Sequence, residues 1–597
     1  MDGKESACGG ERSPGGSGPV VVVGAGPVGL LVANLLAGWG VPVVVYERDH
    51  APGDLPRAVH LDDDALRTLQ AAGLAKAVSA AARPSAGMEL VGADRRVFWR
   101  FARPPWEPGQ AGQAGQTASG HPPSSLVHQP HLEAVLRTGL TRFPHARLRT
   151  GEVVTEVLVP DNLQGGRVRP PGARVVSVRD GRKRVQQARF VLGCDGAASS
   201  VRRLAGMGTV DAHFDQRWLV LDAREAPPGG LPRAGRTPWA AGTGPAADLW
   251  AQQVCDPSRP STYVPVGGPD GSRCRWEFLL HPGDDVVELT SPVGLTALTA
   301  PWRRSGGPVR VERLAVYRFH ALRARRWRRG PVLLLGDAAH QMPPFLGQGL
   351  CAGIRDAANV AWKLRLVHAG LAGEALLDTY EAERAPHVRT VTGLSILLGR
   401  VVSGRDLSAR ALRGALRLAG RAPRPLRARL QRPAMPGLAR GPLVPRPHGL
   451  RRLARPWVGF DPIGRLFPQP PVRVEGQQRA LDDLLGNGFA VVALERACDP
   501  GRSLLDTGSA DWFGALGSVV LVDATERARA AGPGGTVIVE DVTGELERWF
   551  ARRRAAAVIV RPDRYVYALA GGAADLRTRL GELRATLSDS RATPRRV

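Results

Sequence analysis

Apolar and polar positions along the chain set out a series of layered units. Residues 19–23 (PVVVV) form an uninterrupted apolar run with the length of a buried strand. A glycine turn follows, then Leu30, Val32, Leu35 and Leu36 at helical spacing, then a second apolar run at 41–46 (VPVVVY) that ends on Glu47. Strand, helix and strand in that order predict a β-α-β unit and a parallel sheet. Leu66 and Leu69 predict a helix from about Asp62 to Ala72, and another is predicted over 131–140. Apolar alternation predicts strands at 152–159, 173–178 and 184–193, and a second sheet from 249–254, 274–280 and 313–319. A buried strand at 331–335 (PVLLL) precedes predicted helices at 350–369 and 374–385. From about 472 the pattern returns to strands, at 488–494, 517–522, 535–540, 556–560 and 565–569, which predicts a separate small α/β unit. Pro- and Gly-rich stretches at 103–123 and 225–248 read as loops, and 395–455 as Arg-, Leu- and Pro-rich helical pieces.

Length and composition narrow this picture. A chain of 597 residues exceeds what one hydrophobic core serves, and 43% apolar residues suffice for packed domains. The formal charge of +26 is carried almost wholly by arginine, since the lysines are only Lys4, Lys76, Lys183 and Lys363. Such a field attracts anions. The arginines are scattered and lack interleaved aromatics, which argues against a nucleic-acid partner. Cys8, Cys194, Cys255, Cys274, Cys351 and Cys498 include no C-x-x-C pair, so neither a metal site nor a dithiol centre is expected, and a reducing cytoplasm fits. Residues 1–18 lack the apolar core of a signal peptide and read as a loose tail. No apolar run reaches the roughly 20 residues that span a bilayer, so no integral membrane segment is expected.

Two segments carry the chemistry. Gly24-Ala25-Gly26-Pro27-Val28-Gly29 fits G-x-G-x-x-G between a strand and a helix. Gly24 permits the tight turn, Gly26 admits a pyrophosphate to the backbone, and Gly29 lets the helix pack on the sheet. The helix N-terminus offers unpaired N–H groups to phosphate, and Glu47 stands where a carboxylate binds ribose hydroxyls. This unit fits FAD and NAD alike. The second segment is PVLLLGDAAHQMPPFLGQGLCAGIRDAANVAWKL at 331–364. Its strand ends at Gly336-Asp337, with Asp337 placed for a ribityl or ribose hydroxyl; Pro343-Pro344 stiffens a loop; Gly347-Gln348-Gly349 brings backbone N–H groups toward a flat ring. A helix then starts, its positive end facing whatever sits there.

This second segment resembles the Gly-Asp motif of FAD-dependent aromatic hydroxylases of the p-hydroxybenzoate hydroxylase superfamily, most closely 3-(3-hydroxyphenyl)propionate hydroxylase-like members. Residues 190–202 (FVLGCDGAASSVR) are similar to that family's Asp-Gly motif, at Asp195 and Gly196. Residues 56–67 (PRAVHLDDDALR) place Arg57, and 128–137 (HQPHLEAVLR) place Gln129, at positions near the flavin. Segments 255–260, 275–279 and 317–330 match the substrate-domain pattern, and 468–489 and 560–567 the tail domain.

The resemblance implies an α/β FAD-binding Rossmann-type domain with an inserted mixed-sheet substrate domain and a C-terminal thioredoxin-like α/β domain. The expected boundaries are 19–205 with 313–395 for FAD, 206–312 for most of the substrate domain (strands from about 80–130 joining it), 396–470 for a basic helical linker and 471–597 for the tail domain. It also implies bound FAD, transient NADH or NADPH, and O2 adding at the flavin C4a position to give a hydroperoxide that hydroxylates a small phenolic acid. A homodimer is compatible with this. Arg57 would stabilise anionic flavin or dock the nicotinamide phosphate, and Pro344 would lie where oxygen adds. His60 and His213 are candidate bases, Tyr263 and Tyr317 candidate partners for a substrate hydroxyl, and Cys498 reads as structural. Two alternatives remain: a hydroxylase of larger polyketide-like aromatics, and a non-catalytic basic protein that binds nucleic acid or membrane surfaces.

Overall fold

The computed structural model describes residues 18–53, 58–103, 119–159, 172–225, 250–266, 273–302, 309–423, 426–427, 436–445, 461–495, 510–523 and 536–589. Arg57, Cys498, the tail before residue 18, and most of the two Pro/Gly-rich stretches lie outside them.

The valine runs at the N-terminus pair as anticipated from their apolar character. Strand Val20–Val23 lies parallel to Val43–Glu47 on one side and to Phe190–Gly193 on the other. The sheet continues through Val332–Leu334 and Ala146–Thr150, both parallel to their neighbours. All four residues of Val20–Val23 are buried, as central parallel strands covered on both faces require. The stretch expected as one strand at 184–193 is two: Arg182–Ala188 belongs to a separate three-stranded antiparallel sheet, and Phe190–Gly193 to the parallel one. Arg182–Ala188 is polar and mostly exposed, whereas FVLG is wholly buried, so the break falls where hydrophobicity changes.

The second sheet has eight strands and is larger than its sequence pattern indicated. Gly87–Gly92 and Val97–Ala102 complete one edge, beside Trp250–Cys255. Thr209–Glu225 and Val309–Ala324 pair along nearly their whole lengths. The FAD-side segment expected to resume at 313 therefore resumes at Arg328, where Arg328–Arg329 pairs back onto the parallel sheet. The helix expected to stop at 385 runs from Asp378 to Ser403 through Pro386. Residues expected as a linker from 396 thus continue this helix and then form Leu407–Gly420; Leu398, Val401, Val402, Leu412 and Leu416 pack on the eight-stranded sheet. None of the described helices is long and apolar enough to cross a membrane.

The C-terminal unit is a seven-stranded mixed sheet with its own apolar core around Phe467, Val492, Val520, Leu546 and Phe550. The other face of this sheet shares the apolar core of the parallel-sheet unit, with Phe489 against Trp362, and buried ion pairs join the two as well. Arg561, fully buried, donates to both carboxylate oxygens of Glu383 at 3.0 and 2.8 Å and to Asp563 at 2.7 Å. Lys363 and Asn359 donate to the same Glu383 at 3.0 and 2.7 Å. Arg67 forms a two-toothed pair with Asp482, both bonds 2.6 Å. A buried charge is tolerated when its partners replace water, and removing one partner costs about 3–5 kcal/mol.

Burial alone would raise the Glu383 carboxyl, but Arg561 and Lys363 hold it down to about 2. A depressed carboxylate stabilises the fold above its ordinary range and loses that contribution as pH falls toward its folded value. Glu383→Gln is therefore expected to destabilise the protein by about 3–5 kcal/mol at neutral pH. In urea unfolding, the gap to the wild type should narrow as pH falls from 4.5 toward about 2. A gap independent of pH over that window would refute the assignment.

Candidate active site

The glycine loop at 24–29 is built for close approach. Gly24 has φ +103°, and a Cβ there would lie 2.4 Å from the Cys194 carbonyl oxygen. A Cβ on Gly29 would lie 2.0 Å from the Gly24 oxygen, so the strand, loop and helix Pro27–Gly38 touch through that residue. Gly26 differs, since a Cβ on it would meet nothing within 4 Å and its φ of −74° suits any residue. The fold itself does not demand glycine at 26, and the space beside it is open. Gly26 caps the helix without a side chain, and the first turn carries no acidic residue, so its N–H groups stay available to an anion. Glu47 reaches into the loop, accepting from Ala25 N at 2.7 Å and from Asp49 N at 3.1 Å. These groups fit a dinucleotide's pyrophosphate and ribose.

The Gly-Asp segment meets this loop from the next strand. Gly336 has φ +57°, and its missing side chain leaves room for Val28; Gly353 does the same for Val28 from the helix Gly349–His368. Gly336 N donates to Asp356 Oδ2 at 3.1 Å. Asp356 is fully buried and also accepts from His340 Nε2 at 2.6 Å and Arg384 Nε at 2.9 Å. Burial alone would raise its carboxyl, but His340 and Arg384 lower it below the usual carboxylate range. Asp337 is exposed on the short turn that follows Leu335.

Four side chains from four other places fix the loop from 343 to 348. Ser395 Oγ donates to the Pro343 carbonyl at 2.6 Å, and Gln253 Nε2 to the Phe345 carbonyl at 2.9 Å. The His60 ring donates through Nδ1 to the Gly347 carbonyl at 3.1 Å. Arg355 donates to Gln348 Oε1 at 3.2 Å while it binds Asp62 and Asp64 at 2.5 and 2.6 Å. Gln348 is thereby prevented from capping the helix it precedes, and no other side chain caps it. The first N–H groups of the helix Gly349–His368 are thus left without a side-chain cap, like those after Gly26. Pro344 opens a tight turn over 344–346 whose Phe345 ring packs edge-on against Trp218 and Phe214, at centroid distances of 5.7 and 5.9 Å.

The remaining sequence candidates divide. Gln129 is buried, accepts from Ala58 N at 2.7 Å and donates to Glu133 at 2.8 Å, so it holds the chain immediately after Arg57. Gly196 takes φ +77°, while the Asp195 carboxylate accepts from Ser199, Ser200 and Val201 and caps the turn at 200–204. His60 is committed at both ring nitrogens, the second to Ser124 Oγ at 2.8 Å, and burial lowers its proton affinity. His213 is exposed on a bulge of its strand with φ +56°. Tyr263 packs between Trp276 and Trp302 on the face of the large sheet turned away from Phe345. Tyr317 is cross-strand to Trp218, hence on the face toward Phe345, and stacks on Phe319. Sequence reading did not single out Gln253, Arg355, Asp356 or Ser395. For Arg355-Asp356, a charged pair inside the apolar and small-residue run GLCAGIRDAANVAW was the available signal; Gln253 and Ser395 carried none. Among the described residues, no cluster of His, Cys, Asp or Glu could hold a metal ion.

Comparison with known proteins bears on this geometry. A family model described as "FAD binding domain" matches residues 17–395, and one described as "HcaD C-terminal domain" matches 464–586. A 3-(3-hydroxy-phenyl)propionate/3-hydroxycinnamic acid hydroxylase of Mycobacterium avium is 36% identical over 560 residues, covering 92% of this chain and 88% of that protein. A probable NADH-specific resorcinol 4-hydroxylase of Rhodococcus jostii is 34% identical over 581 residues, 96% of each chain. The crystal structure of the flavin-dependent monooxygenase PieE with FAD and substrate is similar in fold, with TM-score 0.73 and 21% identity, covering 96% of this chain and all of that one.

The two glycines separate folding from ligand binding. Gly29→Ala should destabilise the protein by about 1–3 kcal/mol through overpacking. Gly26→Val should cost the apoprotein only about 1 kcal/mol as a poorer helix cap, yet weaken FAD binding at least about tenfold in a fluorescence titration. Unchanged FAD affinity in Gly26→Val would contradict the docking of the pyrophosphate there.

Proposed function

The chain belongs to the FAD binding domain family, and from that premise we propose that it hydroxylates a small phenolic acid, with NADH or NADPH as reductant and O2 as oxidant. Relatives named as 3-(3-hydroxy-phenyl)propionate/3-hydroxycinnamic acid hydroxylases, 33–36% identical over most of both chains, carry this reading. The aromatic side chains that surround the 344–346 turn agree with it, since a planar ring is what Trp218, Phe345 and Phe319 would bury well.

FAD, when bound, supplies the electron transfer and the activation of oxygen. The protein's part is to bind, orient and exclude water. In this reading Gly24, Gly26 and Gly29 admit the pyrophosphate, and Glu47 the ribose. Gly196, Gly336 and Asp337 line the ribityl side, with Asp195 holding its own turn in place. Gly347, Gln348 and Gly349 present the backbone N–H groups of a helix start to the flavin ring, where negative charge collects on reduction. Pro344 would stand against the ring edge, Gln129 holds the chain just after Arg57, and Arg57 would serve the flavin or the nicotinamide phosphate. The C-terminal unit is read as a thioredoxin-like domain that has no C-x-x-C and acts through its ionic docking, not through thiol exchange. A homodimer in a cytoplasmic setting completes the reading.

The test is oxygen uptake with product analysis across a panel of phenols with NADH and NADPH. The expected result is a yellow protein whose nicotinamide oxidation accelerates with 3-(3-hydroxyphenyl)propionate or resorcinol and yields a ring-hydroxylated product. A preference for polycyclic phenols would move the substrate class, and a colourless protein without phenol-dependent oxygen uptake would overturn the reading.

A further inference from the structure

The face of the eight-stranded sheet that meets Phe345 carries three polar side chains in a row. Register places Gln253 opposite Thr262 and Thr262 opposite Glu277, so they stand side by side on three adjacent strands, each about 4.8 Å from the next. Their face is settled by contact: Gln253 Nε2 holds the Phe345 carbonyl, and the cross-strand neighbour Leu90 packs with Phe345 and Trp218. Tyr263, Trp276 and Phe278, one residue away on the same strands, pack on the opposite face.

All three residues of this row are more than nine-tenths buried, with exposures of 4%, 6% and 8%. Gln253 Oε1 is buried and accepts no hydrogen bond from a described residue. The Glu277 carboxyl feels the charges of Arg275 on its own strand and Asp222 on the next, but forms no hydrogen bond with a described residue. Arg313 lies beyond, 3.6 Å from Asp222, with its guanidinium over Tyr317. An acceptor left unsatisfied in such a place costs about 1–3 kcal/mol, and a fold keeps it only where something else supplies the donor. Beside the row are Leu90, Val220, Phe345 and Val402, which carry no side-chain donor, the Trp218 indole, given to Gln216, and the Arg275 guanidinium, paired with Asp222; within the row the donor is the Thr262 hydroxyl. A flat apolar ligand carrying a hydroxyl donor matches both features.

We propose that Gln253, Thr262 and Glu277 form the hydroxyl-recognition row for the aromatic substrate: the phenolic oxygen sits over Thr262, its O–H points to Gln253 Oε1 on binding and turns to Glu277, which takes that same proton during oxygenation. This rests on the phenol-hydroxylase reading above and adds to it the side chains that choose the substrate. The proton leaves the substrate oxygen for a Glu277 oxygen, and the electron pair of the broken O–H bond enters the ring, which becomes a stronger nucleophile. The whole reaction balances as phenol, O2, NAD(P)H and a proton giving diol, water and NAD(P)+. Burial pushes the Glu277 carboxyl up, despite Arg275, and a carboxylate with raised proton affinity is the better base for a phenol.

The test uses FAD-loaded full-length enzyme with 3-(3-hydroxyphenyl)propionate and its methyl ether, which lacks the donor. Glu277→Gln keeps an acceptor but cannot take a proton; its kcat should fall about a hundredfold, with KM within about threefold and flavin content unchanged. Gln253→Leu should reduce the wild type's preference for the phenol over the ether about tenfold or more. Thr262→Val, between them, should lower the same preference without loss of flavin. Wild-type kcat in Glu277→Gln together with an undiminished preference in Gln253→Leu would overturn the row. A wild type that oxidises NAD(P)H independently of any phenol would instead fell the substrate reading, and the row with it. If Glu277→Gln lost flavin, the ether comparison in Gln253→Leu and Thr262→Val would decide, with unchanged preference again counting against the row.

Discussion

Two adjacent charges of opposite sign, Arg355 and Asp356, sit fully enclosed in the first turns of the helix Gly349–His368, and the placement of the flavin loop follows from how they are satisfied. Asp356 turns toward the parallel sheet and holds Gly336, His340 and Arg384. Arg355 turns the other way and holds Asp62, Asp64 and Gln348. Neither charge could be buried alone, because desolvation would exceed any packing gain. Each is tolerated because several polar groups converge on it, and those groups belong to the segments that must meet around a dinucleotide. The same pair therefore secures the helix start and the turn at 336.

Further along that helix the pattern recurs with a different purpose. Asn359 and Lys363 join Glu383, Arg561 and Asp563 in a second enclosed network, which brings in the C-terminal sheet. The two networks touch through Tyr565, whose hydroxyl donates to Asp64 at 3.3 Å. The C-terminal unit is thus connected by hydrogen bonds to the arginine that positions Gln348, although it carries no dithiol of its own. One helix links the cofactor cradle and the C-terminal unit, and the turn just before it meets the aromatic face of the large sheet.

Much of this was legible in the chain. Valine runs at 20–23 and 43–47, the glycines between them and the Gly-Asp segment are local signals, and local signals survive into structure. The expected edges failed where tertiary packing decided the outcome. Pro386 did not stop its helix, because the flanking Glu383, Arg384 and His387 are buried in contacts that reward continuation. Strands from about 80–130 were expected in the large sheet only as a group, and the strand at 209–225 was not assigned, since charged and aromatic residues mingle in them; Asp222 and Glu89 are buried with Arg275 and Arg100 across from them. The candidate site divides the same way. Glycines announce a cradle through spacing, whereas Gln253 and Glu277 acquire meaning only from register, which places two strands' polar residues beside a turn from elsewhere in the chain.

Asp356 and its partners hold the Gly-Asp segment in shape. Amide hydrogen exchange on wild type and Asp356→Asn measures this most directly. Exchange should accelerate at 336–349 in the variant while strands 489–494 and 517–522 of the C-terminal sheet keep their protection. Equal protection of 336–349 in both proteins would mean that Asp356 does not hold this segment.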